Sequence, residues 1–557
     1  MSRFLPPKTQ RFVIKYKTLV FRYLRFFKLT PLNWIRFISL ARKNPKTFVL
    51  SQKPQREYKI ACILDEFSFE SFNPEATFLQ LDVNHWKSQI IDFQPDIILI
   101  ESAWKGKNSG WARKISEISN EIIELASWGD QNNIPTIFWH KEVPPHFKTF
   151  MHVTRLFDAV FLTDADCIDA YKKKVGHQHV YFLSFACQPI MHNPIQEDAR
   201  KHSIIYAGTF YPEYKYPERH KNFMDLYDSL SPLIEFDIYD RMAGKGNYTF
   251  PEKFHKHIKG SLPFSEMSKA YRSYEYGLNM NSVKHSTTMC SRRVFELIAC
   301  NTLVIGNYSN AVRNIFGKLT ICSDDRKEIL DQFKKLESDS NHKKSVQLNA
   351  LRKVMEEYTY KHNLQMILST ISTTTTKTND QILIVGLCQS QKEYDSILEN
   401  FNRQNFSARK LLIINDNKSV NPHNDVLMSS STDFINHWNN LKNQFSYVGV
   451  FHPDWFYGAY YLTDLIHGLT YSCDGIATKA SFYSNIDGNI TIQNPKLEYY
   501  RVSSHLPYHS ICTSSAFNAN ILFDRIQTRC ISIDAFNLCQ NTQLSKEQIE
   551  VVEGQCL

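Results

Sequence analysis

The sequence predicts an α/β chain built on parallel, doubly wound sheets: two Rossmann-like lobes, then a smaller α/β domain, with an amphipathic helical arm in front. Three observations carry this. From Tyr58 onward, short apolar runs alternate with helical segments, the pattern of a parallel sheet with crossover helices. The alternation restarts at Ser203 and again at Gln381. A polar, low-complexity run, STISTTTTKTND at 369–380, precedes the last restart. The expected divisions are 1–55 for the arm, 56–198 and 199–370 for the lobes, 371–380 for a Thr-rich linker and 381–557 for the last domain.

The arm is basic. Residues 1–50 hold twelve Lys or Arg and no Asp or Glu, so of the overall +9 the rest of the chain carries a net −3. Arg11, Lys15, Thr18, Arg22 and Arg25 fall on one stripe of a helix over 9–29, with Phe12, Leu19, Tyr23, Phe26 and Phe27 around it and Pro31 ending it. Trp34, Ile35 and Phe37 continue the basic-aromatic character. Such a helix lies in a membrane interface and favours an anionic surface; packing on the body with solvated charges is the alternative. A near-neutral body argues against a nucleic-acid partner. The twelve cysteines show no C-x-x-C or metal-finger spacing, which fits a reducing cytoplasm. No signal peptide and no apolar run of about 18 residues is visible.

In the first lobe, strands are expected at 59–64, 96–100, 136–139, 159–162 and 180–183, and polar clusters follow four of them. Ligands in such sheets bind outside the carboxyl ends of the strands. His140 and Glu142, beside a Pro-Pro turn, are the candidates for acid/base work or acceptor contacts. Asp65 and Asp164 read equally well as loop-capping carboxylates.

In the second lobe, strands are expected at 204–207, 236–239 and 276–280, and helices over 325–370. The stretch KHSTTMCSRRVFELIACNTLVIGN (284–307) organises this lobe. Val294, Leu297 and Ile298 place a helix over 292–300, and Thr302–Ile305 reads as a buried strand. Ser286, Thr287 and Thr288 suit a loop that caps the helix. A helix N-terminus behind a hydroxyl-rich loop favours an anion. Arg292 and Arg293 offer cationic forks for a diphosphate, with Arg219 and Arg241 as further candidates, and Glu296 suits ribose hydroxyls. An Arg292–Glu296 ion pair at i,i+4 on a surface helix is the competing reading.

The 284–307 stretch resembles the nucleotide-binding helix of GT-B glycosyltransferases, in particular the CgeB-like group (glycosyl transferases group 1). That group's pattern "tMxxRvfExlAcntlvi" is matched by Met289, Arg293, Val294, Phe295, Glu296, Ala299 and Cys300. FWHKEVPPHF (138–147) and FDAVFLTDADC (157–167) resemble two more of its motifs, and ILDEFSFESF (63–72) and ESAWKG (101–106) extend the likeness, which runs from 58 to about 330. Many retaining members carry two glutamates eight positions apart; Glu296 stands at the second and Thr288 at the first. The resemblance implies a nucleotide-sugar donor on the second lobe, with Gly208 letting its phosphates approach the backbone, Ser286 and Thr287 in the donor loop, and Glu296 in a catalytic position. It implies an acceptor over the first lobe and no cofactor for the GT-B unit. It also implies bacterial surface-polysaccharide or cell-wall glycan assembly, on a glycan or lipid-linked acceptor, at the cytoplasmic face of the membrane, with other assembly proteins as partners.

In the last domain, ILIVGLCQS (382–390) is expected as a strand and loop, with further strands at 411–417 and 447–451. Tyr457-Gly458-x-Tyr460-Tyr461-Leu462 resembles the "YgpnYL" motif of family 2 glycosyltransferases with the GT-A fold. The resemblance implies a second site around Asp416, His452, Asp454 and Asp534. His452-x-Asp454 stands where that family has the metal-binding Asp-x-Asp, and Asp534 stands as the general base with Ile533 in place of its usual acidic neighbour. Mg²⁺ is expected to bind poorly there and Mn²⁺ better, through His452 and Asp454. The expected activity is therefore sugar transfer by the GT-B unit, with a degenerate last domain. The rivals are a bifunctional or solely GT-A-active enzyme, and a non-catalytic nucleotide-binding scaffold.

Overall fold

In the computed structural model, the described residues are 29–42, 46, 48–243, 249–372 and 381–555. The helix expected over 9–29 and most of the Thr-rich run lie outside them. Pro31 opens a helix, Pro31–Arg42, as suits a residue with no N–H to leave unpaired at a first turn. This helix docks on the first lobe through Asn33, whose amide donates to Asn120 (3.0 Å) and Glu124 (2.9 Å). Its outer face leaves Leu32, Trp34 and Ile35 exposed.

The first lobe is a six-stranded parallel sheet of β1 (Lys59–Ile63), β2 (Thr77–Gln80), β3 (Ile97–Glu101), β4 (Thr136–His140), β5 (Ala159–Leu162) and β6 (Val180–Phe182), in the order β2-β1-β3-β4-β5-β6. Its inner strands β3, β4 and β5 are buried on both faces, which is why they read as largely apolar runs. The second lobe holds β7 (Lys201–Gly208), β8 (Glu235–Asp240), β9 (Ile258–Gly260), β10 (Tyr274–Asn279), β11 (Leu303–Gly306) and β12 (Ile321–Cys322), in the order β12-β11-β10-β7-β8-β9. Counted from β7 this is 3-2-1-4-5-6, the Rossmann order, and all its pairs are parallel. The strand order reverses between β1 and β3 in the first lobe and between β7 and β10 in the second. The last helix of the pair, Tyr360–Ile371, crosses back to the first lobe, where Tyr360 meets Phe72 edge-on at 4.7 Å and Asn363 donates to the Ser184 carbonyl (3.0 Å).

The C-terminal domain begins with four parallel strands, β13 (Ile382–Leu387), β14 (Arg409–Ile414), β15 (Leu427–Ser429) and β16 (Tyr447–Phe451), ordered β15-β14-β13-β16. The sheet continues through Ser510–Thr513, which is antiparallel to β16, then Ile476–Thr478, Cys530–Ser532 and Arg501–Val502. A separate four-stranded sheet completes the domain.

Candidate functional site between the two lobes

The helix Arg292–Ala299 sits against β10 because Gly277 makes room: a Cβ there would lie 2.5 Å from Leu297 Cδ2. Its N-cap is Ser291, whose hydroxyl accepts from the Arg293 N–H, so Ser286, Thr287 and Thr288 are not the cap. They reach across to the first lobe instead. Ser286 Oγ donates to Asp164 (2.8 Å), and Thr287 donates to Asp166 through its N–H (2.8 Å) and its hydroxyl (2.5 Å). Thr288 Oγ1 accepts from the Ala165 N–H (2.9 Å). The donors foreseen for a ligand anion thus hold the protein's own carboxylates, and the loop is a latch between lobes.

Glu296 is 3% exposed and pairs with Arg292, so the i,i+4 ion pair forms, but inside the molecule rather than on its surface. His192 Nε2 lies 3.9 Å from the same carboxylate oxygen, and burial pushes this imidazole down to about 4. The Arg292 guanidinium lies over the ring of Phe67 from the first lobe at 4.2 Å, so the pair bridges the cleft. Arg293 does not fork toward a ligand; its Nε donates to Tyr271 Oη (3.3 Å).

At the second lobe's switch point, Arg219 lies beside the end of β10 and donates to the Met280 carbonyl (2.7 Å) and Ser282 Oγ (2.6 Å). Arg241, exposed, follows β8 and donates to Thr209 Oγ1 (3.1 Å) beside the end of β7. Asn279 Oδ1 is buried there with no hydrogen-bond partner among the described residues. Gly208 is required by packing, since its Cβ would meet the Tyr206 hydroxyl at 2.8 Å.

His140 is sealed in the first lobe, 0% exposed, with Nδ1 against the Tyr171 hydroxyl and aromatic rings of Phe138 and Phe150 around it. Burial pushes it down to about 3. It is a neutral core histidine, because it stands on the strand itself rather than after it, and it cannot meet an acceptor. Glu142, two residues on, is half-buried. The groups gathered at this lobe's switch point are Asp65, Glu101 and Lys141. Lys141 Nζ, buried, bonds Glu101 (2.7 Å) and Asp65 (3.0 Å). Burial pushes Glu101 up. It pushes Asp65 up as well, but Lys141 and the N–H groups of Trp104, Lys105 and Gly106 outweigh it and hold that carboxyl below its ordinary value. Asp65 and Asp164 are capping carboxylates; Asp164 also accepts from the Asp166 N–H (3.0 Å).

In the C-terminal domain, Asp416, His452 and Asp454 follow the parallel strands β14 and β16 on one edge. Asp416 takes the N–H (2.7 Å) and hydroxyl (2.6 Å) of Ser431 at the start of a helix. His452 Nδ1 accepts the Asp454 N–H (3.2 Å), and the Asp454 carboxylate, 84% exposed, lies 3.9 Å from the ring. One imidazole turned to backbone and one solvated carboxylate are a poor set for a divalent ion on a diphosphate. Asp534 is not with them. It is 4% exposed and bonded to the buried Lys479 (3.0 Å), so it is not free to act as a base. Among the described residues, the side chains that converge at metal-ligand spacing are His202, Glu275 and Glu337, within 4.8 Å of one another. The Lys343 ammonium already bonds both of these carboxylates (2.7 Å each).

A family model described as glycosyl transferase-like matches residues 221–369. No curated protein matches the chain. Among solved structures, an α-glucosyltransferase in complex with UDP and a 13-mer DNA matches at TM-score 0.41 and 11% identity, over 56% of this chain and 99% of that one. Anabaena Alr3699/HepE in complex with UDP-glucose matches at 0.38 and 13%, over 57% and 100%. Sucrose-phosphate synthase from Thermosynechococcus elongatus matches at 0.36 and 11%, over 51% and 75%. These likenesses are too distant to carry residue roles. Residues 221–369, most of the second lobe, are similar to a glycosyl transferase-like family, and glycosyl transfer is the enzymatic activity that this match supports.

Proposed function

We propose that the chain transfers a sugar from a nucleotide-sugar donor, held at the β7/β10 switch point, to a glycan or lipid-linked glycan at a membrane surface. The observation that carries this is the Rossmann order of the second lobe, with Arg219 and Arg241 brought to its switch point, inside or beside the stretch matched by the glycosyl transferase-like model. In transfer, the acceptor hydroxyl oxygen bonds the anomeric carbon as the bond from that carbon to the diphosphate oxygen breaks. The hydroxyl proton leaves to a base, and the nucleoside diphosphate departs with the electron pair. Two guanidiniums can stabilise that departing charge without a metal. Glu142 is the candidate for contact with the acceptor. Glu296 acts in this reading with Arg292, as a buried pair that fixes the cleft.

The C-terminal domain is read as non-transferring, a binding or bracing module, because Asp534 is tied to Lys479 and His452 Nδ1 is taken up by the Asp454 N–H. Mn²⁺-dependent turnover of the full chain that is lost in Asp454→Asn would reverse this. Membrane attachment is supported by the basic arm and by Leu32, Trp34 and Ile35, which are exposed within it. Among the described residues no helix is long and apolar enough to cross a membrane. Flotation with anionic vesicles that weakens as salt is raised is the expected behaviour.

The central test is release of nucleoside diphosphate from a panel of nucleotide sugars. Loss of a charged hydrogen bond costs about 1.5–3 kcal/mol, so Arg219→Ala should raise the donor KM or lower turnover by roughly 10- to 100-fold while melting stays near wild type. Unchanged donor kinetics in a folded Arg219→Ala protein would remove Arg219 from the donor site.

A further inference from the structure

At the carboxyl end of β3, beside the first lobe's switch point, Trp104 stands 42% exposed. Lone apolar side chains are ordinary on a protein surface; this one is set apart by how firmly it is held and by what lies next to it. Asp65 accepts the backbone N–H groups of Trp104 (3.1 Å), Lys105 (3.0 Å) and Gly106 (3.0 Å), and the buried Lys141 ammonium fixes Asp65 in turn (3.0 Å). Gly106 completes the turn at φ +63°, which glycine adopts without strain. The indole packs at near right angles to His146 (4.9 Å between ring centroids) and Phe150 (5.2 Å). The loop also borders the seam between the lobes. Asp65 leads into the helix Glu66–Phe72, whose Phe67 ring takes Lys141 from its own lobe (4.0 Å) and Arg292 from the other (4.2 Å). A fixed aromatic surface at a cleft loses little freedom when a ligand lands on it.

His146 supplies polar partners beside it. It is half-buried, its backbone N–H donates to the Glu142 carbonyl (2.9 Å), and neither ring nitrogen makes a hydrogen bond among the described residues. Both nitrogens stay open to solvent, whereas the unbonded Nε2 of His140 is sealed. The indole N–H of Trp104 is likewise unbonded among the described residues. We infer that Trp104 and His146 form the subsite for one pyranose ring of the acceptor glycan. The C–H face of a pyranose packs on an indole, while its hydroxyls suit an imidazole, whose two nitrogens can donate or accept. Glu142, after the neighbouring strand β4, is placed to meet the same sugar from the next loop. These loops carry charges of both signs, Lys105 and Glu142 among them, so ring shape rather than net charge is what the subsite reads. The inference rests on the glycosyl-transfer reading for the identity of the sugar as acceptor; the binding of a pyranose there does not depend on it.

The test uses the full chain labelled with 5-fluorotryptophan, in which the Trp104 resonance is the one of eight that disappears in Trp104→Phe. Tetrasaccharides of α-1,4-glucose, β-1,4-glucose, β-1,4-N-acetylglucosamine and α-1,4-galacturonate are titrated in as probes. At least one should move the Trp104 resonance saturably. By calorimetry the same probe should bind Trp104→Ala and His146→Ala at least tenfold more weakly, with Trp104→Tyr recovering most of the loss. Trp104→Tyr keeps a ring beside Phe150, so it separates lost stacking from lost folding. If the probe is also glycosylated, Trp104→Ala should raise its KM at least tenfold more than it raises the donor KM. The inference is overturned if no probe moves the Trp104 resonance, or if Trp104→Ala raises the donor KM as much as the acceptor KM. It is also overturned if Trp104→Ala binds sugar as wild type does but is released from anionic vesicles, the mark of a membrane anchor. Sugar binding as expected, without turnover of any nucleotide sugar, would remove the glycosyl-transfer reading and leave the pyranose subsite standing; turnover without a Trp104 response does the reverse.

Discussion

Two histidines show how burial, rather than residue type, decides a side chain's work. His140 and His192 stay neutral in the folded protein down to about 3 and about 4, whereas an unfolded chain protonates histidine near 6.5. Between those values the unfolded state binds more protons. Each therefore contributes stability that is fully present above pH 6.5 and is lost as pH falls toward the folded value, at up to about 1.4 kcal/mol per pH unit for each group. His140→Phe suits a pocket already walled by Phe138 and Phe150, and it leaves Tyr171 its second partner, the Phe147 carbonyl. The variant should flatten the fall in stability between pH 6.5 and 4.5, read as denaturant midpoints at several pH values, and should still turn over donor at pH 8. A wild-type slope in His140→Phe would show that this imidazole is not held neutral. Loss of turnover in a stable variant would return it to the chemistry.

The helix Arg292–Ala299 and strand β10 form the element on which the second lobe's site depends, and their close approach rests on one glycine. A Cβ at Gly277 would lie 2.5 Å from Leu297 Cδ2, so Gly277→Ala should destabilise by about 1–3 kcal/mol through overpacking. Thermal and urea melts read this directly, and Leu297→Ala in the same chain should recover part of it; additive losses would show that the two side chains do not meet. The elements themselves were legible. Val294, Leu297 and Ile298 marked the helix, and continuous apolar runs marked β3, β4 and β5, because a strand buried on both faces has few polar positions to break the run. In the two lobes β2, β9 and β12 were missed: Thr77–Gln80 is an edge strand that alternates little, Ile258–Gly260 is an edge strand of three residues, and Ile321–Cys322 is two residues long. The site was less legible than the elements. Basic and hydroxyl residues near the switch point could be named, but not their partners. Thr287 finds Asp166 across 121 residues of chain, and Arg292 finds Phe67 in the other lobe. No local spacing carries such contacts. The signal for an anion at Ser286–Thr288 was physically sound, yet the anion is a carboxylate of the first lobe.

Across the whole molecule, the C-terminal domain is fastened to the second lobe by charges that are almost wholly buried. Arg352, on the helix Ser340–Glu357, forks onto Asp464 of the C-terminal domain (2.7 and 2.8 Å). Lys479 bonds Asp534 (3.0 Å) and lies 3.9 Å from Asp464, and Asn537 donates to Asp464 (3.3 Å). Burial pushes Asp464 up, but the Arg352 fork outweighs it and holds the carboxyl below its ordinary value. The Ser345 hydroxyl adds a bond to the Gly554 carbonyl (2.5 Å) near the far end of the chain. A chain divided within 373–380 would expose both halves of this network, so the second lobe and the C-terminal domain should melt as one unit in the intact protein. The energetics make a sharper prediction than fragment work. Taking charges out of water costs several kcal/mol per ion, which the opposite charge offsets only while both are present. Arg352→Met alone leaves Asp464 buried with a diminished partner set and should cost about 3–5 kcal/mol. Adding Asp464→Leu removes the stranded charge, so the double variant should be more stable than Arg352→Met, while Lys479–Asp534 persists as a neutral pair beside it. Denaturant melts of the two singles and the double close the cycle, and a double variant as unstable as the sum of its singles would mean that the pair is not coupled and that packing, not charge, joins the two domains.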